Sequence, residues 1–245
     1  MIKTTGNALT KPMIGINENF DHAHGTIRMN HSMGRLLDRY KNSNMIDLQT
    51  LHQWDRFYRA NFINSMSGFK SASLIGTVHE DGTSNVAIFS NIVHLGADPA
   101  LIGFINRPLA AAPHTITNIQ RTKQYTINAI TTEMIAPAHQ TSAKYPAHQS
   151  EFGATGLSEE WIENFVAPAV KESPLKYGLE LVEVLPITHN NTFLVIGAVQ
   201  WVIYPPAILA EDGFLNLCDA NIITSLGIDG YASTSMEQRL AYAKH

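Results

Sequence analysis

Three groups of residues in this chain have types and spacings that could hold a flat, phosphorylated ligand. Asn85, Ala87, Phe89, Ser90 and Asn91 run along and just past one apolar strand, Arg107 follows a second, and His114 and Thr115 open a helix. Alternation along a strand puts Asn85, Ala87 and Phe89 on one face and Val86, Ile88 and Ser90 on the other. One face is thus small and polar where it begins and aromatic where it ends. A planar heterocycle can lie there, bonded by backbone groups and by Asn and Ser side chains. On composition alone, a mixed barrel strand with Asn as a turn residue accounts for the same segment slightly better. An Arg, a helix start with free N–H groups and a Thr hydroxyl together make a competent site for a phosphate dianion, with Thr115 as the expected helix cap. Taken singly, they are a surface Arg, a loop His and an ordinary N-cap.

Other chemistries are poorly served. The sequence has no G-x-G-x-x-G, no Walker loop, no G-x-S-x-G elbow and no H-E-x-x-H, which disfavours doubly wound dehydrogenases, P-loop enzymes, serine hydrolases of that type and zincins. Eleven histidines include His22 and His24, which stand in an irregular arm without a fixed third ligand, so no metal site is expected. His79 and His94 lie at strand ends, where structural histidines are common. Cys218 has no basic neighbour to activate it.

The elements that would position these groups are strands. Ser73 to His79 and Thr83 to Phe89 flank Glu80-Asp81-Gly82, a hairpin signal. Asp98-Pro99 introduces a short strand from Leu101 to Ile105. A helix is expected from His114 to Thr122, and a strand from Tyr125 to Ile130. The irregular stretch from Met134 to Glu151, with Ala138 to Tyr145 inside it, is long enough to be functional or interfacial. Ser158 is expected to cap a helix over 159–166. A second hairpin, Leu179 to Pro186 and Thr192 to Tyr204, turns at His189-Asn190-Asn191. Glu211-Asp212-Gly213 makes a further turn, and a closing helix is expected over 233–243.

Ahead of the strands, residues 1 to about 30 show little periodicity. Helical spacing appears over 31–41, and again after Asp47, a candidate N-cap, with Leu48, Leu51, Trp54, Phe57, Tyr58 and Phe62 on a wide aromatic stripe. That stripe is expected to be buried against the barrel or a second subunit. Residues 1–45 form an extension, and 46–245 a single domain.

Bulk properties agree with one globular domain. The 245 residues are 44% hydrophobic and 16% charged, with a formal charge of −4, which argues against a nucleic-acid partner. One cysteine excludes an intramolecular disulfide and points to a reducing cytoplasm. The N-terminus lacks a signal-peptide core, and no apolar run approaches the roughly 18 residues of a membrane span.

The order SGFKSASLIGT, Asp-Gly turn, SNVAIFSN, DPALIGF, HTITNI and YTIN, followed by SEFGATGL and IGAVQWV, resembles the flavin reductase-like proteins of the FMN-binding split-barrel superfamily. The likeness runs from about Arg59 to Tyr231. It implies a mainly β fold with helical additions: a six-stranded Greek-key split barrel, usually dimeric, with FMN near the subunit interface. It also implies that Asn85, Ala87, Phe89, Ser90 and Asn91 contact the flavin ring and ribityl chain, that Arg107, His114 and Thr115 hold the phosphate, and that Lys70 and Ser71 add contacts. The implied activity is hydride transfer from NADH or NADPH to flavin, with a small molecule or redox protein as the final acceptor. A pyridoxamine-phosphate-oxidase-like enzyme, a flavoredoxin-like FMN electron carrier without nicotinamide activity, and a non-enzymatic flavin-binding protein are the alternatives.

Overall fold

The computed structural model describes residues 43–243 of the chain. Expectations for the N-terminal arm, the 31–41 helix and the His22/His24 pair lie outside the described residues. The chain divides into two units, Met1–Gln53 and Trp54–His245. In the first, helix α1 (Leu48–Gln53) begins at Asp47, whose carboxylate accepts the Thr50 N–H at 2.8 Å.

The second unit opens with α2 (Arg56–Met66), capped by Asp55, whose carboxylate accepts the N–H groups of Phe57 and Tyr58. The single aromatic helix expected after Asp47 is therefore two, because Asp55 satisfies the free donors of a new helix start. Trp54 packs edge-on against Tyr58 and Phe62, with ring centroids 4.8 and 5.1 Å apart. No residue of α2 is buried by the described chain.

Twelve strands follow: β1 (Lys70–Ser71), β2 (Ser73–Val78), β3 (Ser84–Phe89), β4 (Ile92–Ala97), β5 (Ala100–Asn106), β6 (Gln124–Ala129), β7 (Glu159–Glu160), β8 (Ala169–Val170), β9 (Lys176–Ile187), β10 (Thr192–Ile203), β11 (Thr224–Leu226) and β12 (Gly230–Ala232). Between them lie α3 (His114–Thr122), α4 (Ile135–Gln140) and α5 (Glu151–Thr155). Seven strands form one antiparallel sheet in the order β3-β2-β6-β9-β10-β5-β4. β3 and β4 sit at opposite edges of this sheet, yet only Ser90 and Asn91 separate them in sequence. The step from Phe89 to Ile92 spans at most about 11 Å of chain. The sheet must therefore curl until its two edges meet, and no ladder joins them. The result is a split barrel.

Six of the seven strands are the ones the sequence predicts; β4 is the additional one. Its register with β5 shifts between His94 and Gly96, so Ile92–Ala97 lacks the plain alternation of a half-buried strand. Two more expectations fail. Residues 159–166 are not helical: Glu159 and Glu160 pair with Val170 and Ala169, and the Ser158 N–H is held by the Glu172 carboxylate at 3.0 and 3.1 Å instead of starting a helix. Residues 233–243 form no helix.

Two clusters of buried side chains lie on either side of β2. Ile75, Phe104, Ile116, Ile119, Tyr125, Ile127, Leu179 and Val195 fill the barrel, with α3 contributing its two isoleucines. Leu74 and Val86 face outward and pack with Ile130, Met134, Ala138, Phe152 and Val170, so α4 and α5 cover the outside of β2 and β3. β2 is consequently buried along its whole length.

Candidate functional site

At the seam between β3 and β4 a cleft of about 660 Å³ opens, within the roughly 300–1,000 Å³ usual for small-molecule sites. One wall comes from β3 and the Ser90-Asn91 link, a second from the loop after β5 and the start of α3. A third comes from α4 with the loop that follows it, and from the β11–β12 hairpin.

The first wall owes its chemistry to a free strand edge. β3 pairs only with β2, so alternate backbone groups point away from the sheet. Near its start this edge is covered. The Val86 N–H donates to Glu151 Oε2 at 3.2 Å, Ser84 Oγ donates to Glu159, and Ser84 also shares a hydrogen bond with Ser150 Oγ at 2.6 Å. Two residues on, strand alternation turns the Ile88 N–H to the same free edge as that of Val86, and Ile88 lines the cleft. Phe89 packs edge-on against Phe104 in the barrel, 5.0 Å between centroids, so its ring is shared with the core.

The amides of Asn85 and Asn91 are committed to the fold although both residues line the cleft. Asn85 Nδ2 donates to Thr77 Oγ1 at 3.0 Å, an acceptor shared with Asn118 Nδ2. Asn91 bonds both backbone groups of Ile105, donating to its carbonyl at 3.0 Å and accepting its N–H at 3.1 Å. Ser90 keeps its hydroxyl unpaired among the described residues.

The second wall is cationic. Arg107 is exposed, and its guanidinium makes no hydrogen bond or ion pair among the described residues. Asn106, buried behind it, donates Nδ2 to the carbonyls of Arg107 and Ala112 and so holds this loop in shape. Pro113, not Thr115, occupies the cap position of α3, and no side chain caps the helix. The N–H groups of its first turn are therefore unsatisfied, and they sit at the positive end of the helix dipole. Thr115 is instead a buried residue of that first turn. His114 stands edge-on to His79, 5.1 Å between ring centroids. Burial, then the neighbouring His114, hold His79 below the usual imidazole range, and Arg121 adds to this against the opposing pull of Asp81.

Eight of the ten residues singled out from the sequence line this cleft; Lys70 and Ser71 do not. The Lys70 ammonium donates to the Asn64 and Gly68 carbonyls and to Ser67 Oγ, closing the end of α2. Ser71 Oγ accepts the Ile92 N–H at 3.3 Å across the seam.

The third wall was marked in sequence only as a long irregular stretch. It brings Thr141, Ser142, the exposed Lys144, and Tyr145 into the cleft, together with Glu151, Asp229 and a hydrogen-bonded pair, His139 Nδ1 and Tyr231 OH at 2.8 Å. Burial pushes the Glu151 carboxyl above its usual range. Nothing local marks Tyr231, which reaches the site through tertiary pairing of β12 with β11. Among the described residues no cluster of three or more His, Cys, Asp or Glu could hold a metal. No described helix is long and apolar enough to cross a membrane.

Residues 66–217 match the Flavin reductase like domain, and the chain belongs to that family. Among solved structures it is similar to a split-barrel protein of Shewanella frigidimarina NCIMB 400 described as a flavin reductase. The two are 42% identical with a TM-score of 0.79, over 82% of this chain and all of that one. Nitrilotriacetate monooxygenase component B from Bacillus cereus shares the fold at 19% identity and a TM-score of 0.72, over 80% of this chain and 99% of that one. A protein of Aquifex aeolicus without an assigned activity is 27% identical over 115 residues, 46% of this chain and 59% of its own length.

Proposed function

We propose that this chain is an FMN-binding oxidoreductase that takes hydride from NADH or NADPH, working as a homodimer in the reducing cytoplasm. The observation that carries the reading is the meeting, in one cleft, of an unpaired Arg107, an uncapped helix start and a free strand edge. A dianion needs the first two, and the polar rim of a flat heterocycle needs the third. The Arg107 guanidinium and the first turn of α3 have no side-chain partner among the described residues, so the residues fit a phosphorylated flavin.

When bound, FMN supplies the hydride chemistry, which explains why the cleft needs no nucleophile or catalytic triad. Arg107 and the first-turn N–H groups of α3 hold the phosphate, with His114 beside them. The Ile88 N–H and the Ser90 hydroxyl hold the polar rim of the ring, and Ala87 leaves room for it to lie close to β3. Thr141 to Tyr145 screen the open side from water. Orientation of two rings is the main catalytic contribution of such a site.

The test is the visible spectrum of the purified protein, with the released cofactor identified by chromatography, followed by anaerobic addition of NADH and NADPH. Bound FMN that bleaches with nicotinamide is the expected result. FMN that bleaches only with a chemical reductant would make the protein an electron carrier. A protein that stays colourless in excess FMN would overturn the reading.

A further inference from the structure

The cleft has a feature that phosphate and ring binding leave unused. His139, on α4, and Tyr231, on β12, both line it, joined by the 2.8 Å hydrogen bond between Nδ1 and the phenol oxygen. Their rings meet edge-on, at 88° and 5.8 Å between centroids. Tyr231 also packs on the outer core and pairs with Ser225 across β11–β12, so the phenol is fixed from two sides. Nε2 of His139 has no partner among the described residues.

We propose that His139 and Tyr231 form a proton-donating pair for an uncharged, quinone-type carbonyl acceptor, with the Tyr231 hydroxyl bonded to the acceptor's oxygen. This rests on the flavin reading above. A quinone becomes a hydroquinone by gaining two electrons and two protons. A hydride from the reduced flavin brings both electrons and one proton, and the second proton must come from elsewhere. The Tyr231 O–H bond breaks as the acceptor's O–H bond forms, Nδ1–H of His139 passes its proton to the phenolate, and solvent protonates Nε2. The flavin is oxidised and the quinone reduced.

The surroundings select for this class. Burial and the nearby Asp229 carboxylate push the Tyr231 phenol up, so it stays a hydrogen donor throughout the physiological range. The same carboxylate repels an anionic acceptor. Ile228, half exposed on the cleft wall, gives an apolar body a surface to lie on.

FMN affinity is measured first, by flavin fluorescence, on wild-type, Tyr231→Phe and His139→Gln proteins. The loaded proteins are then reduced photochemically without oxygen and mixed with 1,4-naphthoquinone or with ferricyanide, a one-electron acceptor that takes no proton. In Tyr231→Phe the ratio of quinone to ferricyanide rates is expected to fall about a hundredfold, the usual order for a lost general acid, together with the solvent deuterium isotope effect. Binding of 4-hydroxybenzaldehyde to the oxidised, loaded protein, followed by absorbance, is expected to weaken about tenfold. His139→Gln is expected to lower the ratio while retaining the probe, because Gln still bonds the phenol but relays no proton. Wild-type ratios and probe affinities in both variants would overturn the proposal and leave the flavin reading standing. A wild-type protein that binds no FMN would overturn both.

Discussion

The Arg107 guanidinium stands exposed on the cleft wall with no partner among the described residues, and that isolation makes it a selective probe. A guanidinium–phosphate contact is charge-assisted and worth about 1.5–3 kcal/mol. Arg107→Ala is therefore expected to weaken FMN binding about ten- to a hundredfold and to leave riboflavin binding nearly unchanged, both read by fluorescence titration. Equal losses for the two ligands would remove Arg107 from the phosphate site. Glu151 offers a test of a different kind. Its carboxyl is buried under the edge of β3, and its pKa is raised by that burial. The folded protein then holds a proton that the unfolded chain releases at lower pH, so stability falls as pH rises from the ordinary glutamate value through the raised one. Glu151→Gln keeps an acceptor for the Val86 N–H and abolishes the titration. In thermal melts, the wild-type protein is expected to lose more stability than the variant between pH 4 and pH 7. Parallel losses would mean that Glu151 ionises normally in the fold.

Among the elements, the seam between β3 and β4 decides whether the cleft exists, and Asn91 is its staple. Its amide replaces, on Ile105, the two bonds that a neighbouring strand would make. At about 0.5–1.5 kcal/mol per hydrogen bond, Asn91→Ala is expected to cost about 1–3 kcal/mol, and calorimetry should show Tm lower by about 2–4 °C for each of them. An unchanged Tm would show that Ser71 and the core hold the seam without it. The staple role of Asn91 was not legible in the sequence, because its partner Ile105 is fourteen residues away. The legible parts were those whose cause is local. The Asp81-Gly82 turn fixed the β2–β3 hairpin, and the periodicity of His114 to Thr122 gave α3 with its observed bounds. The parts missed have non-local causes. β4 is held by its pairing with β5 across an irregular register. Glu159 and Glu160, two acids that suited a helix start, are drawn into pairing with β8 and into contact with Lys176 and Ser84. Tyr231 reaches the cleft only because β11 and β12 fold together.

For the whole molecule, the outstanding feature is apolar surface that the described chain leaves uncovered. On α2 and just beyond it, Phe57 is 74% exposed, Met66 68% and Phe69 64%. Val182, Leu185, Val202 and Ile203 on the β9–β10 ribbon are exposed as well. Asp55 caps this helix and its aromatic stripe was expected to be buried, yet among the described residues Trp54 packs only on Tyr58 and Phe62 of the helix itself, and Phe57 stays exposed. Large apolar side chains exposed together on one helix mark an interaction surface in a monomer, and our reading assigns the α2 face to a second copy of the chain. A stable homodimer buries about 800 Å² or more on each side, which a helix carrying several aromatic side chains can supply. Light scattering coupled to gel filtration is therefore expected to give the mass of two chains at micromolar concentration. Burying one Phe side chain stabilises an interface by about 1.5–3 kcal/mol, so Phe57→Glu combined with Phe69→Glu should weaken association more than about a hundredfold and give a monomer at the same concentration. A wild-type monomer would refute the assignment. A double variant that remains dimeric would place the interface elsewhere on the barrel, and α2 would then need another occupant.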